Sequence, residues 1–263
     1  MDNSLIKIPN FNEHRLIKKR NRYCCLIPVI NEGPRIRIQL GKMQKLGISL
    51  VCDVIMCDGG STDGSMGLDF LSSMGVNTVL IKRGLGKLSA QMRMGLWWGL
   101  QEGYEGCITV DGNGKDGIEA IPSFCEKLDE GFDFVQGSRF IAGGKAENTP
   151  VTRLLALRLI HAPLISLAAG FHFTDTTNAF RAYSRKYINH PEVLPFRDVF
   201  ETYELLAYLS VRASQLGLKV CEIPVERIYP KSGPIPTKIS FLKGNWDLIK
   251  ILFATISGSY NPK

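Results

Sequence analysis

The apolar run Cys107-Ile108-Thr109-Val110 is followed at once by Asp111-Gly112-Asn113-Gly114-Lys115-Asp116. A strand that ends in a glycine-rich, acidic turn matters because open α/β sheets bind ligands at the carboxyl ends of their strands. Asp111 and Asn113, one residue apart, can turn two oxygens toward a hard divalent cation such as Mg2+ or Mn2+. Positions on the ion would remain for phosphate oxygens. Two earlier turns also carry carboxylates: Glu32 in Pro28-Val-Ile-Asn-Glu-Gly33, and Asp58 in Cys57-Asp-Gly-Gly-Ser-Thr-Asp-Gly-Ser65. A carboxylate repels a pyrophosphate but accepts hydrogen bonds from a nucleobase or ribose. Asp58 suits an ordinary turn or helix cap equally well, with Ser61, Thr62 and Asp63 beside it.

The elements that would position these residues alternate. Strands are expected at Tyr23–Val29, Cys52–Cys57, Asn77–Ile81, up to Val110 and at Phe132–Gln136. Helices are expected at Arg35–Leu46, Ser65–Ser73, about Lys87–Leu100 and Ile118–Leu128. This rhythm implies an α/β fold with a mostly parallel central sheet flanked by helices. The second half is less regular, with an apolar helix near 153–169, a strand Ala179–Ser184, a helix about Asp198–Leu216 and a strand Lys219–Ile223. The stretch Tyr229–Lys238 is too rich in proline for regular structure and suits a loop that closes over a ligand. Residues 1–22 read as a basic extension, 23–240 as one domain, and 241–263 as an amphipathic helix and tail.

With 263 residues and 44% hydrophobic content, the chain can bury a large core. Its formal charge of +7 suits a phosphate-bearing ligand or an anionic membrane face. The seven cysteines show no CxxC spacing and lie mostly in expected strands, which predicts a reducing compartment and no zinc site. The first 30 residues lack the pattern of a signal peptide, so the expected location is the cytoplasm, at the inner face of a membrane where one is involved. The uncharged stretch Leu159–Phe173 follows Arg153 and Arg158. It is short for a spanning helix and fits an interfacial helix or a core helix equally. His14, His161, His172 and His190 show no metal spacing, and Trp97 and Trp98 read as core.

In order along the chain, Pro-x-x-Asn-Glu, Asp-Gly-Gly-Ser-Thr-Asp-Gly-Ser, Gly84-Leu-Gly86, Asp-x-Asn and Gly137-Ser-Arg-Phe140 resemble the family 2 glycosyltransferases of the GT-A fold. Thr174-Asp-Thr-Thr-Asn-Ala-Phe-Arg-Ala-Tyr183 is similar to that family's Asp-x-Thr-x-Gly-Phe-Arg segment. Val211–Val225 resembles the helix and strand before the closing loop of dolichyl-phosphate and polyprenyl-phosphate mannose synthases. The resemblance implies that Pro28, Glu32 and Asp58 line the nucleotide pocket, with Gly86 and Gly112 near it, and that Asp111 and Asn113 hold a divalent cation. It also implies that Arg139 and Arg153 meet the donor or the acceptor phosphate, and that Lys231 and Lys238 clamp the diphosphate. Basic side chains suit such contacts because they bond phosphate oxygens directly.

Three positions depart from the family pattern. Asn113 replaces an aspartate, Lys115 stands where a metal-approaching glutamine is usual, and Tyr208 occupies a glutamate position, with Glu204 one turn earlier on the same face. Losing a carboxylate weakens cation binding, and Lys115 can lie beside the diphosphate, so weak metal dependence is expected. The expected donor is a GDP- or UDP-sugar and the reaction an inverting transfer. A polyprenyl-phosphate acceptor needs no strong base, with Arg139 and Arg153 positioning it. A sugar hydroxyl acceptor would need one, from Asp175 or Glu204, although Asp175 also reads as a turn residue. A non-catalytic nucleotide-sugar-binding module stays open as an alternative. A P-loop is excluded because no GxxxxGK[ST] occurs, no nucleic-acid partner is expected, and nothing fixes the oligomeric state.

Overall fold

The computed structural model describes residues 5–231 and 242–262. Its strands are β1 (Phe11–Arg15), β2 (Tyr23–Val29), β3 (Asp53–Asp58), β4 (Val76–Lys82), β5 (Gly106–Thr109), β6 (Phe134–Ser138), β7 (Lys145–Glu147), β8 (Arg181–Ser184), β9 (Val220–Pro224) and β10 (Glu226–Ile228). The helices are α1 (Pro34–Lys45), α2 (Leu68–Ser73), α3 (Leu88–Gln101), α4 (Ile121–Asp129), α5 (Val151–Ala156), α6 (Ala162–Ala169), α7 (Arg185–Ile188), α8 (Glu204–Gln215) and α9 (Leu242–Ile256).

Eight strands form one sheet in the order β1-β4-β3-β2-β5-β8-β6-β9, and β10 pairs with β7 in a small second sheet. Four of the seven strand pairings in the main sheet are parallel and three antiparallel. β8 enters antiparallel between β5 and β6, and β1 runs antiparallel along β4 at the edge. Residues 11–15, expected as part of a basic extension, are therefore a strand of the main sheet.

Alternation in β2 shows why its continuous apolar run is a central strand. Cys24 and Leu26 face one core, which includes residues of α3, α6 and α8, whereas Cys25, Ile27 and Val29 face another, which includes residues of α1, α2 and α4. A strand covered on both faces needs no polar side. Trp98 is buried in the first core, and Trp97 lies edge-on to Phe11, 6.3 Å away between ring centroids. The long helix begins at Glu204 rather than near 198. Its Glu204 carboxylate accepts from the backbone N–H of Thr202 at 2.6 Å and from that residue's hydroxyl, which closes the chain into the first turn. A π-turn at Leu157–His161 separates α5 from α6, just before Pro163, which has no N–H to return to the preceding turn.

Candidate active site

Three parallel strands deliver the expected turns to one edge. Gln91 of α3 ties two of them together, donating through Nε2 to the carbonyls of both Val29 and Cys57 at 2.8 Å. The third is fastened by Gly112, whose N–H reaches the Pro28 carbonyl at 3.3 Å. A Cβ at Gly112 would run into the Val29 side chain, so only glycine permits this approach. Gln39 of α1 then accepts from the Gly114 N–H at 3.0 Å.

Along this edge the carboxylates are already occupied. Asp58 is buried and accepts from the Ser61 N–H and hydroxyl at 3.0 and 2.6 Å, the turn use that its neighbours suggested. Glu32 is paired with Arg35 at 2.8 Å. Burial pushes the Lys82 ammonium down, against the pull of Asp58. Gly86 has φ of +91°, and its loop is held against the start of α8 by Lys87 N–H to Glu201 C=O at 2.7 Å. This brings Tyr203 near Asp111. Burial raises its phenol, and Asp111 raises it further.

Asp111 heads a compact ionic cluster. Its Oδ2 accepts from Arg227 Nη2 at 2.9 Å and from the Asn113 amide at 3.1 Å, while Arg227 Nη1 reaches Asp116 Oδ1 at 2.5 Å. Lys115 Nζ lies 5.0 Å above the Tyr229 ring. Burial opposes charge on both Asp111 and Arg227, but their mutual attraction prevails. The Asp111 carboxyl is held below its usual range by Arg227 and then Lys115, and the guanidinium well above its own by Asp116 first and Asp111 next. Burial, followed by Arg227, pushes the Lys115 ammonium down. Arg227 went unnoticed in the sequence because its partners lie more than a hundred residues earlier.

Tyr229 links this cluster to Arg139, since Arg227, Lys115 and Arg139 together hold its phenol down despite burial. Arg139 and Asp175 form a buried bidentate pair at 2.6 and 2.9 Å. Asp175 is fully buried with both oxygens engaged, so its carboxylate fixes Arg139 and does not face an acceptor hydroxyl. The Glu204 carboxylate is likewise taken up by Thr202. A cavity of about 460 Å³ is lined by Arg139, Phe140, Asn148, Leu154 and Arg158 among others. Its second arginine is thus Arg158 rather than Arg153. Both guanidiniums lie over the Phe140 ring, at 5.0 and 4.8 Å. Lys231 is exposed and its charge is felt at Glu147, while Lys238 lies outside the described residues.

No family model matches the chain. A polyprenol monophosphomannose synthase of Mycolicibacterium smegmatis is 26% identical over 213 residues, 80% of this chain and 78% of that protein. An undecaprenyl-phosphate mannosyltransferase of Micrococcus luteus is 27% identical over 211 residues, 78% of this chain and 82% of that protein. Glucosyl-3-phosphoglycerate synthase of Mycobacterium tuberculosis, solved with UDP, superposes with a TM-score of 0.62 at 16% identity over 89% of this chain and 80% of its own. The same enzyme solved with Mn2+, UDP and glucosyl-3-phosphoglycerate gives 0.59, at 17% identity over 92% and 81%. The chain shares the GT-A glycosyltransferase fold of these structures, and its sequence is similar to those of the two lipid-phosphate mannosyltransferases.

Mn2+ stands in that structural neighbour, whereas in this chain the residues expected to hold a cation are engaged with one another and with basic side chains. Among the described residues, no three His, Cys, Asp or Glu side chains are grouped to hold a metal ion. Asp111, the first expected ligand, is covered by a guanidinium. Asn113, the second, points its amide nitrogen at Asp111 and its oxygen at the Lys115 N–H, 3.3 Å away. A dication placed at Asp111 would displace Arg227 and meet Lys115 as a like charge.

Proposed function

We propose that this glycosyltransferase moves a sugar, with inversion, from a nucleoside-diphosphate sugar to a polyprenyl phosphate. The observation that carries the acceptor assignment is a pair of adjoining spaces. The Arg139–Arg158 cavity shares Phe140 and Arg158 with a groove of about 710 Å³, walled by Ala162, Pro163, Leu167, Phe171 and Phe173 among others. Two guanidiniums suit a phosphate and the apolar groove suits a hydrocarbon chain. Both named relatives carry a lipid phosphate in their names.

An acceptor phosphate oxygen is already anionic, so it attacks the anomeric carbon without a base as the bond from that carbon to the diphosphate breaks. The electron pair departs with the nucleoside diphosphate. Stabilising that developing charge is the main task left to the protein. Asp175 and Glu204, the two carboxylates considered for a hydroxyl acceptor, are both engaged elsewhere, which argues against that alternative.

The helical stretch 151–169 exposes Val151, Leu155, Leu159, Ile160 and Leu167. It is long and apolar enough to cross a membrane by length and composition alone, with 17% of its window buried. Beside the groove and with Arg153 and Arg158 on it, we assign it to peripheral docking at the cytoplasmic face of a membrane that holds the acceptor. The test incubates the protein with GDP- and UDP-sugars and either undecaprenyl phosphate or a free glycan. Sugar is expected in the lipid phase, with an acid-labile phosphodiester linkage. Transfer to the glycan and none to the lipid would refute the acceptor assignment, and no transfer from any donor would refute the enzymatic reading.

A further inference from the structure

We propose that Arg227, with Lys115, is a built-in replacement for the divalent cation, competing with metal for Asp111 and supplying the positive charge that faces the donor's diphosphate. The inference rests on the glycosyl-transfer reading. Arg227 is held in place by main chain as well as by charge. β10 pairs with β7, Arg227 bridges Asp116, and the flanking hydrogen bonds Gly117 N–H to Glu226 C=O and Ile228 N–H to Lys115 C=O are both 2.8 Å. The guanidinium is therefore fixed against the 111–116 turn before any ligand arrives, and a fixed charge loses little in reorganising around a leaving group.

The charge count agrees. Two buried cations, Lys115 in the turn and Arg227 on β10, stand with Asp111 and Asp116, so they match a dication in charge and leave no net negative field to attract one. The substitutions seen in the sequence fit the same account. Asn113 removes one anionic ligand, and Lys115 adds a cation where a ligand would be.

The decisive measurement is Mn2+ binding by electron paramagnetic resonance, with and without UDP or GDP, on the whole chain and on Arg227→Gln. A double variant, Arg227→Gln with Asp116→Asn, relieves the unpaired buried carboxylate should the single one fail to fold. The parent is expected to bind Mn2+ only at millimolar concentrations, and removal of the competing guanidinium to tighten binding by about tenfold or more. Turnover is expected to persist in EDTA for the parent, and to become Mn2+-dependent in the variant. Micromolar Mn2+ binding by the parent, loss of its turnover in EDTA, or unchanged metal affinity in both variants would overturn the proposal. Absence of turnover with every donor, with or without metal, would instead count against glycosyl transfer, while the Mn2+ titration still decides the role of Arg227.

Discussion

At the residue scale, Asp175 shows how a candidate base becomes a support. Both of its oxygens bond Arg139, and neither side chain has more than a trace of exposure. Removing one partner of a buried pair leaves the other charged and unpaired, so Asp175→Asn should cost about 3 kcal/mol or more in urea unfolding. Transfer should weaken in parallel, through a misplaced Arg139. If Asp175 were instead a base, the variant would keep its stability and lose an ascending limb of the pH–rate profile. His161 gives a second residue-scale prediction. Burial first, and Arg181 next, push its imidazole down to about 4, while Thr176 holds Nδ1 at 2.7 Å. The folded state thus refuses a proton that the unfolded chain accepts below about 6.5, so this contribution is complete above that pH and is lost as pH falls toward 4. At about pH 5 the parent should be less stable than at about pH 7.5 by some ~2 kcal/mol attributable to this residue. Subtracting the pH dependence of His161→Gln from that of the parent isolates the term, and identical curves would refute it.

At the element scale, β2, β3, β4 and β5 were legible because both faces of each are buried and each carries a short apolar run, such as Val79-Leu80-Ile81 in β4. β1 was not, since Phe-Asn-Glu-His-Arg carries no strand pattern. It covers what would otherwise be an open edge of β4, and of its five residues only Phe11 and His14 are half-buried. The antiparallel entry of β8 was equally hidden, because a short strand reads the same in either direction. Helix 151–169 was legible as apolar but not as exposed. Leu159 is 71% exposed and Leu167 80%, against the ordinary placing of such residues. Changing Leu159 to Glu removes no buried contact, so stability should shift by no more than about 0.5 kcal/mol. Sedimentation with vesicles containing anionic lipid should nevertheless fall sharply, because a carboxylate opposes both the apolar face and the negative surface. Unchanged vesicle binding would move the docking face elsewhere.

At the scale of the whole molecule, the order of turns along one sheet edge was readable, since each turn directly follows its strand. What was not readable is how the chain's last third folds back over that edge. Arg227 meets Asp111 across 116 positions, and Arg158, within the π-turn, rather than Arg153 lines the cavity beside Arg139. The family resemblance implies Lys231 and Lys238 as the diphosphate clamp; the charge of Lys231 is felt at Glu147, and Lys238 lies outside the described residues. The proposed role of the cations at 115 and 227 has its own measurable consequence for donor binding. If fixed cations at 115 and 227 take the diphosphate, then UDP or GDP should raise the melting temperature in EDTA as much as in Mn2+. At about a hundredfold over Kd the gain is about 2.7 kcal/mol, or roughly 5–10 °C for a domain of this size. The nucleotide that produces the larger shift identifies the donor. Raising salt should reduce the shift only modestly, because buried charges are screened far less than surface ones. A shift that needs Mn2+ would instead place the diphosphate on a bound cation, and one that vanishes at moderate salt would place it on surface charges; either would leave the Asp111–Arg227 pair as a structural tie between the two halves of the chain.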